Sequence, residues 1–314
     1  MTIIVTHEAC LSHRPPPGHP ERSERLQAVL NRLKNDYFQS VKWISAPSAS
    51  REALARVHSQ HHVDSILVRH AAQAAASGLA TIDPDTVMSP GSAEAALRAA
   101  GAVIEAVDRV MAGEAANAFC AVRPPGHHAE RDRAMGFCLF NNIAVGALHA
   151  RTIHGLQRIA VVDFDVHHGN GTQDIFWNDP NLFYASTHQS PLYPGTGNAD
   201  ETGISGNIVN VPLPQAAGLE EFRGAFEEII LPALESFSPQ FVFISAGFDA
   251  HKSDPLAQLQ LEESDFEWAT RAICAVADRA CEGRVVSSLE GGYDLDALAL
   301  CAAAHVRALC AASR

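Results

Sequence analysis

Short apolar runs without polar alternation recur along the chain at residues 3–5, 118–122, 159–162, 182–186, 208–211, 241–245 and 285–289. They are rich in β-branched and aromatic side chains, the pattern of parallel strands covered on both faces. Segments of helical period lie between them, at 21–33, 51–57, 62–76, 92–111, 143–154, 172–177, 219–234 and 294–309. Pro20 and Glu21 open the first of these. Ser92 caps the helix over 92–111, whose packing face is Ala95, Ala96, Ala99, Ala100 and Val103, and Gly113 ends it. Residues 78–91, with Asp83-Pro84-Asp85 inside them, read as a loop. Strand, loop and helix alternate without an internal repeat, a linker or a low-complexity tract, so one α/β domain spanning 1–314 is expected.

The central apolar run ends in Asp163-Phe164-Asp165-Val166-His167-His168-Gly169-Asn170-Gly171. Side chains alternate along an extended segment, so Asp163, Asp165 and His167 point one way while Phe164 and Val166 pack behind them. A carboxylate and an imidazole two residues apart suit zinc, leaving Asp163 as an acceptor behind them. A lone Asp-x-His is as readily a solvated strand end, but three further strands end in chemistry. One runs into Arg123-Pro-Pro-Gly-His127-His128, where two prolines stiffen the backbone beside two titratable rings. Another ends in Ala246-Gly-Phe-Asp249-Ala-His251, and the last in Glu290-Gly-Gly-Tyr293, whose glycines let the backbone turn and aim one phenol. Carboxyl ends of parallel strands are where an open α/β sheet places its ligand. Phe137, in the loop after the tandem histidines, either lines a pocket or packs in the core. The Pro-rich loop before Glu21 either rims the site or is a rigid surface loop.

Composition narrows the partners. The chain has 314 residues, enough to bury a large core, with 47% hydrophobic and 19% charged residues. Acids outnumber bases 36 to 23, a net charge of -13, which argues against nucleic acid and suits a cationic substrate. Seven scattered cysteines without a Cys-x-x-Cys pair read as reduced thiols of a cytoplasmic protein. The N-terminus starts a strand directly, with no signal-peptide pattern, and no membrane span is expected.

Taken jointly, Arg-Pro-Pro-Gly-His-His, Asp-x-Asp-x-His-His-Gly-Asn-Gly, Ala-Gly-Phe-Asp and Glu-Gly-Gly-Tyr make the chain resemble the zinc-dependent histone deacetylase family, class II branch. That branch includes bacterial histone-deacetylase-like amidohydrolases and acetylpolyamine amidohydrolases. The resemblance runs from His19-Pro20-Glu21 to Tyr293. It implies an arginase-like three-layer α/β fold with a central, mostly parallel eight-stranded sheet, and hydrolysis of an N-acyl amine.

The resemblance assigns roles residue by residue. Asp165, His167 and Asp249 match three ligands of one zinc ion, with ferrous iron the alternative metal. His128 matches the general base and His127 its electrostatic partner. Asp163 matches the acceptor behind His127, and Tyr293 the donor to the developing oxyanion. Asn170 stands beside His128 where class I members carry Asp. Phe137 and Tyr193 match aromatic walls of the acyl-lysine tunnel, beside Gly136. Leu256 falls where one polyamine-selective branch has an acidic gatekeeper, and Asp85 where the family holds substrate backbone at the rim. Asp163, Ser186 and Thr187, with the backbone carbonyls of Asp165 and His167, match a structural potassium site. The implied partner is an acylated lysine peptide or protein, or an acetylated polyamine, with no nucleic acid and no membrane; the oligomeric state stays open. A binuclear manganese ureohydrolase would need acids where this chain has Gly169 and His251. A non-catalytic binder of acylated ligands would be signalled by loss of Tyr293 or a ligand, and all are present.

Overall fold

The computed structural model describes residues 1–35, 38–39 and 41–313. Its strands are β1 Thr2–Thr6, β2 Lys42–Ser45, β3 Ala80–Thr81, β4 Val87–Met88, β5 Asn117–Cys120, β6 Ile159–Asp163, β7 Leu182–Gln189, β8 Ile208–Leu213, β9 Phe241–Ala246 and β10 Val285–Leu289. Eight of them form one sheet in the order β2-β1-β5-β10-β9-β6-β7-β8, and every neighbouring pair is parallel. The fully apolar runs become the interior strands: β5, β6, β9 and β10 are buried along their whole length. All seven expected strands are present. The eighth, β2, was not legible because it is an edge strand whose Lys42 and Ser45 face solvent, which removes the continuous apolar run. Residues 78–91 hold the small antiparallel hairpin β3–β4. Asp83 turns it by accepting from the N–H groups of Asp85 and Thr86 at 3.1 and 2.7 Å.

Two groups of helices flank the sheet. Ser92–Met111 packs along Asn142–His154, while Ser23–Leu33 and Glu263–Cys281 pack on Leu295–Ala312. The small-residue face of Ser92–Met111 is buried as its spacing predicts. The helices expected over 62–76 and 219–234 each contain a wider π segment, Ser65–His70 and Ala225–Ile230. Leu295–Ala312 is long and apolar enough to cross a membrane, but more than half of it is buried inside the protein. Its apolarity is that of a core helix packed on two others.

That core holds a neutral imidazole. His305 sits among Phe119, Phe164 and Phe248, 2.7 Å from both Thr270 Oγ1 and Ser287 Oγ. Thr270 already donates to the Phe266 carbonyl, so His305 donates from Nδ1 and accepts from Ser287 at Nε2. Burial drives its pKa down to about 3. His58 is likewise lowered to about 3, by burial first and His62 second. An unfolded chain protonates both near pH 6.5, so below that value the unfolded state binds more protons and stability falls as pH drops toward 3. Between pH 6.5 and 5 each of the two is expected to cost about 2 kcal/mol. Over pH 5 to 6.5 the stability of a His305→Gln variant should fall less steeply than that of the wild type, and equal slopes would contradict it.

Candidate active site

The carboxyl ends of β5, β6, β9 and β10 lie side by side in the sheet, so the four polar clusters meet at one edge. Asp165 and His167 follow β6, and Asp249 follows β9. Nδ1 of His167 lies 3.2 Å from Asp165 Oδ1 and 3.1 Å from Asp249 Oδ2, and all three residues are buried. Backbone donors fix the two carboxylates: Gly291 N–H to Asp165 at 2.8 Å and Val166 N–H to Asp249 at 2.9 Å. Gly291 is required by close approach, because a Cβ there would lie 2.1 Å from Asp249 Oδ2 and 2.5 Å from Asp165 Oδ2.

The donor set fits a zinc-class ion. Two carboxylates and one imidazole offer ligand atoms within 4.8 Å of one another, and the backbone leaves no room for another side chain among them. Burial alone would raise the pKa of Asp165, but His127 and His167 outweigh it and keep the carboxylate ionised. Asp249 is raised by burial and then by the charge of Asp165. Two like charges held together in a buried pocket are the electrostatic profile of a cation site. The ureohydrolase arrangement does not fit. A Cβ at Gly169 would meet Asp163 Oδ2 at 2.4 Å, and His251 accepts from Ser253 N–H and faces Glu263.

The tandem histidines take opposite roles from their neighbours. His127 Nδ1 donates to Asp163 Oδ2 at 3.0 Å, and the Tyr184 hydroxyl donates to the same oxygen at 3.1 Å. Burial would lower the pKa of His127, but Asp165 and Asp163 outweigh it and push it up to about 10. Asn170 lies between Glu130 and His128, its Nδ2 donating to Glu130 at 2.7 Å, so its Oδ1 faces His128 Nδ1 at 2.8 Å. His128 therefore carries its proton on Nδ1 and presents a lone pair at Nε2. Burial first, then the charges of His127 and His167, hold His128 well below its ordinary value.

Above this floor is a cavity of about 230 Å³ lined by Asp85, His128, Gly136, Phe137, His167, Leu192, Tyr193, Leu256 and Tyr293. Phe137 is a wall rather than core, its ring edge-on to Tyr293 at 5.9 Å. Gly136 has φ +55°, and a Cβ there would strike the His128 ring at 2.4 Å. Tyr193 lies edge-on to His128 at 5.2 Å. Asp85 is at the mouth, its carboxyl raised by burial and then by Asp83. The Pro-rich loop supports this rim: His19 Nε2 donates to the Asp85 carbonyl at 3.1 Å and its ring meets Phe137 at 4.8 Å. His188, for which the sequence suggests no role, accepts from Ser186 Oγ at Nδ1 and donates to the Gly197 carbonyl, tying β7 to the loop that carries Tyr193. Asp163 and Ser186 are paired across β6 and β7, and Thr187 is buried beside them.

Several supporting residues escape a reading of the sequence. Asp254 accepts from Tyr293 N–H at 2.7 Å and Leu256 N–H at 3.0 Å, fixing two cavity walls at once. Glu290 accepts from Gly126 and His127 N–H at 2.6 and 3.2 Å, and burial pushes its pKa up to about 7. Glu21, Arg25 and Arg123 form a fully buried charge cluster with His13. Arg25 lies 4.7 Å over the Tyr293 ring and donates to the Glu290 carbonyl at 2.6 Å. The signals in the sequence were the places of Arg123 and Glu290 in the strand-end motifs and the i,i+4 spacing of Glu21 and Arg25, although the helix itself begins at Ser23. Glu21→Gln leaves two buried guanidiniums without their carboxylate and is expected to destabilise the fold by about 3–5 kcal/mol, read by denaturant unfolding. A loss below 1 kcal/mol would show the cluster to be solvated.

Residues 19–309 match the histone deacetylase domain family. A probable deacetylase of Archaeoglobus fulgidus is 41% identical over 94% of this chain and 82% of its own length. A histone deacetylase-like amidohydrolase of Pseudomonas aeruginosa is 40% identical over 93% of this chain and 77% of its own. The crystal structure of the HDA15 HD domain superposes with a TM-score of 0.91 at 36% identity, over 98% of this chain and 87% of that one.

Proposed function

The chain belongs to the histone deacetylase family and is a hydrolase of amide bonds, and from that premise we propose a zinc-dependent amidohydrolase that removes acetyl or longer acyl groups from lysine in peptides or proteins. One observation carries the reading: Asp165, His167 and Asp249 converge beneath a narrow cavity whose walls also include His128 and Tyr293.

A zinc ion held by Asp165, His167 and Asp249 would supply a Lewis acid for the acyl carbonyl and acidity for a water molecule. The chain's own groups do the rest. His128, protonated on Nδ1 by its bond to Asn170, accepts the proton of water at Nε2 and returns it to the departing amine. His127 stays charged between Asp163 and Asp165 and stabilises negative charge beside it. Tyr293, aimed by Asp254 and stacked under Arg25, donates its hydroxyl to the oxygen that becomes an anion. Phe137, Leu192, Tyr193 and Leu256 enclose the methylenes of the acyl-amine and exclude water. We also assign a structural potassium ion to Asp163, Ser186, Thr187 and the carbonyls of Asp165 and His167. A reducing, cytoplasmic setting is supported by the seven free cysteines, six of them buried.

An acetylpolyamine is the second substrate class, favoured by the acidic mouth at Asp85 and the net charge of -13. Leu256 favours the peptide, because it puts an apolar wall where a carboxylate would hold an ammonium. The test is hydrolysis of an acetyl-lysine peptide, a long-chain acyl-lysine peptide and N-acetylputrescine by metal-reconstituted enzyme, with and without a hydroxamate chelator. Chelator-sensitive cleavage of the peptides is expected. Cleavage of the polyamine alone would transfer the enzyme to that class, and no cleavage of any would overturn catalysis in favour of binding.

A further inference from the structure

Away from the catalytic cavity, one other set of three histidine and aspartate donors converges among the described residues: Asp108, His149 and His154. We propose that they form a second site, for a divalent transition-metal ion of the zinc class, that staples the helix Ser92–Met111 to the helix Asn142–His154.

Both Nε2 atoms, of His149 and of His154, lie 2.7 Å from Asp108 Oδ1, although the histidines are 41 and 46 residues from it in sequence. Tetrahedral bonds of about 2.0–2.1 Å set ligand atoms about 3.4 Å apart, so the carboxylate needs to recede by only a fraction of an ångström to admit an ion. Two imidazole nitrogens and one carboxylate oxygen suit Zn²⁺, Cu²⁺ or Ni²⁺ and are a poor set for Mg²⁺ or Ca²⁺, which take oxygen ligands. The backbone adds a separate argument. Asp108 is in the last turn of one helix and His154 is the last residue of the other, so two carboxyl-terminal dipole ends meet where the cation would sit. The side chains are 44%, 10% and 23% exposed for Asp108, His149 and His154, which leaves a path for the ion and room for water to complete its shell.

One neighbour opposes the ion. Arg56 donates to His149 Nδ1 at 3.3 Å, which puts that ring's own proton on Nε2. Metal on Nε2 moves the proton to Nδ1, so the guanidinium must swing away, and its charge weakens binding. Arg109, the next residue after Asp108, is committed to Glu105 and Glu114. Both helices run from the catalytic edge toward the opposite one, and the second is capped by Asn141, which also donates to the Ala129 carbonyl beside His128. Binding should therefore raise stability and leave the chemical step unchanged.

The test titrates metal-reconstituted full-length enzyme, dialysed to one tightly held ion per chain, with ZnCl₂ in a calorimeter beside His154→Ala, Asp108→Asn and Arg56→Ala. The expected result is a second one-to-one event in the wild type, weakened at least tenfold in His154→Ala and Asp108→Asn and tightened in Arg56→Ala. Amide hydrolysis by the one-ion enzyme should be unchanged in all three. Zinc should also raise Tm by several degrees in the wild type and not in His154→Ala. No second event in the wild type, or one that survives both ligand substitutions, would overturn the site. An affinity unchanged or lowered in Arg56→Ala would overturn the placement of the ion on His149.

Discussion

Tyr293→Phe is expected to lower kcat by about 10²–10³ while the bound metal and KM stay near their wild-type values. Only the hydroxyl is lost. The ring keeps its place, because Asp254 fixes the Tyr293 backbone, Arg25 lies over one face, and Phe137 meets its edge at 5.9 Å. The hydroxyl's donation matters only once the carbonyl oxygen carries charge, so the loss should fall on kcat and not on binding. Burial and then Asp249 keep the phenol protonated, well above its ordinary value, with Arg25 opposing them in part; the donor is thus present across the working pH range. The measurement is steady-state kinetics on an acetyl-lysine peptide, with metal content determined in parallel. A rate within threefold of wild type at full metal occupancy would remove Tyr293 from the mechanism.

His128→Ala is expected to cost about 10²–10⁴ in kcat, again with the metal retained. His128 is in the cavity wall, with its ring centroid 6.0 Å from that of His167, and makes no hydrogen bond to the three ligands among those the structure shows. His127→Ala should behave differently. It removes the cationic partner of Asp163 and leaves that buried carboxylate with neutral donors beside Asp165, so stability should fall together with rate. A His128→Ala enzyme with unchanged rate would sink the proton-transfer role, and one that had lost its metal would move His128 into the ligand network. The two variants thus separate a group that handles a proton from a group that holds a charge.

The residues to which we assign the chemistry stand out in the sequence because their surroundings are local. Asp165, His167, Asp249, His127, His128 and Tyr293 all lie within a few residues after apolar strands, and a fully buried parallel strand has a signature that needs no knowledge of its neighbours. The walls Phe137, Tyr193, Leu256 and Asp85 came from the resemblance, and the cavity brings all four together. Strand β2 was missed because an edge strand with exposed Lys42 and Ser45 lacks that signature. The π segments were missed because periodicity over one turn does not separate them from α-helix.

The sequence by itself determined which side chains stand at strand ends, which backbones are stiff or able to turn there, and hence a parallel α/β sheet with a metal-type donor set along one edge. Those properties depend on residues within a few positions of one another. Only the tertiary structure decided which charges are buried together. Glu21 meets Arg123 across 102 positions, Asp254 meets Tyr293 across 39, and Asp108 meets His154 across 46. A buried charge is tolerated only where a partner or an ion offsets its desolvation, and the partner is chosen by the path of the chain through the fold, which no local pattern encodes.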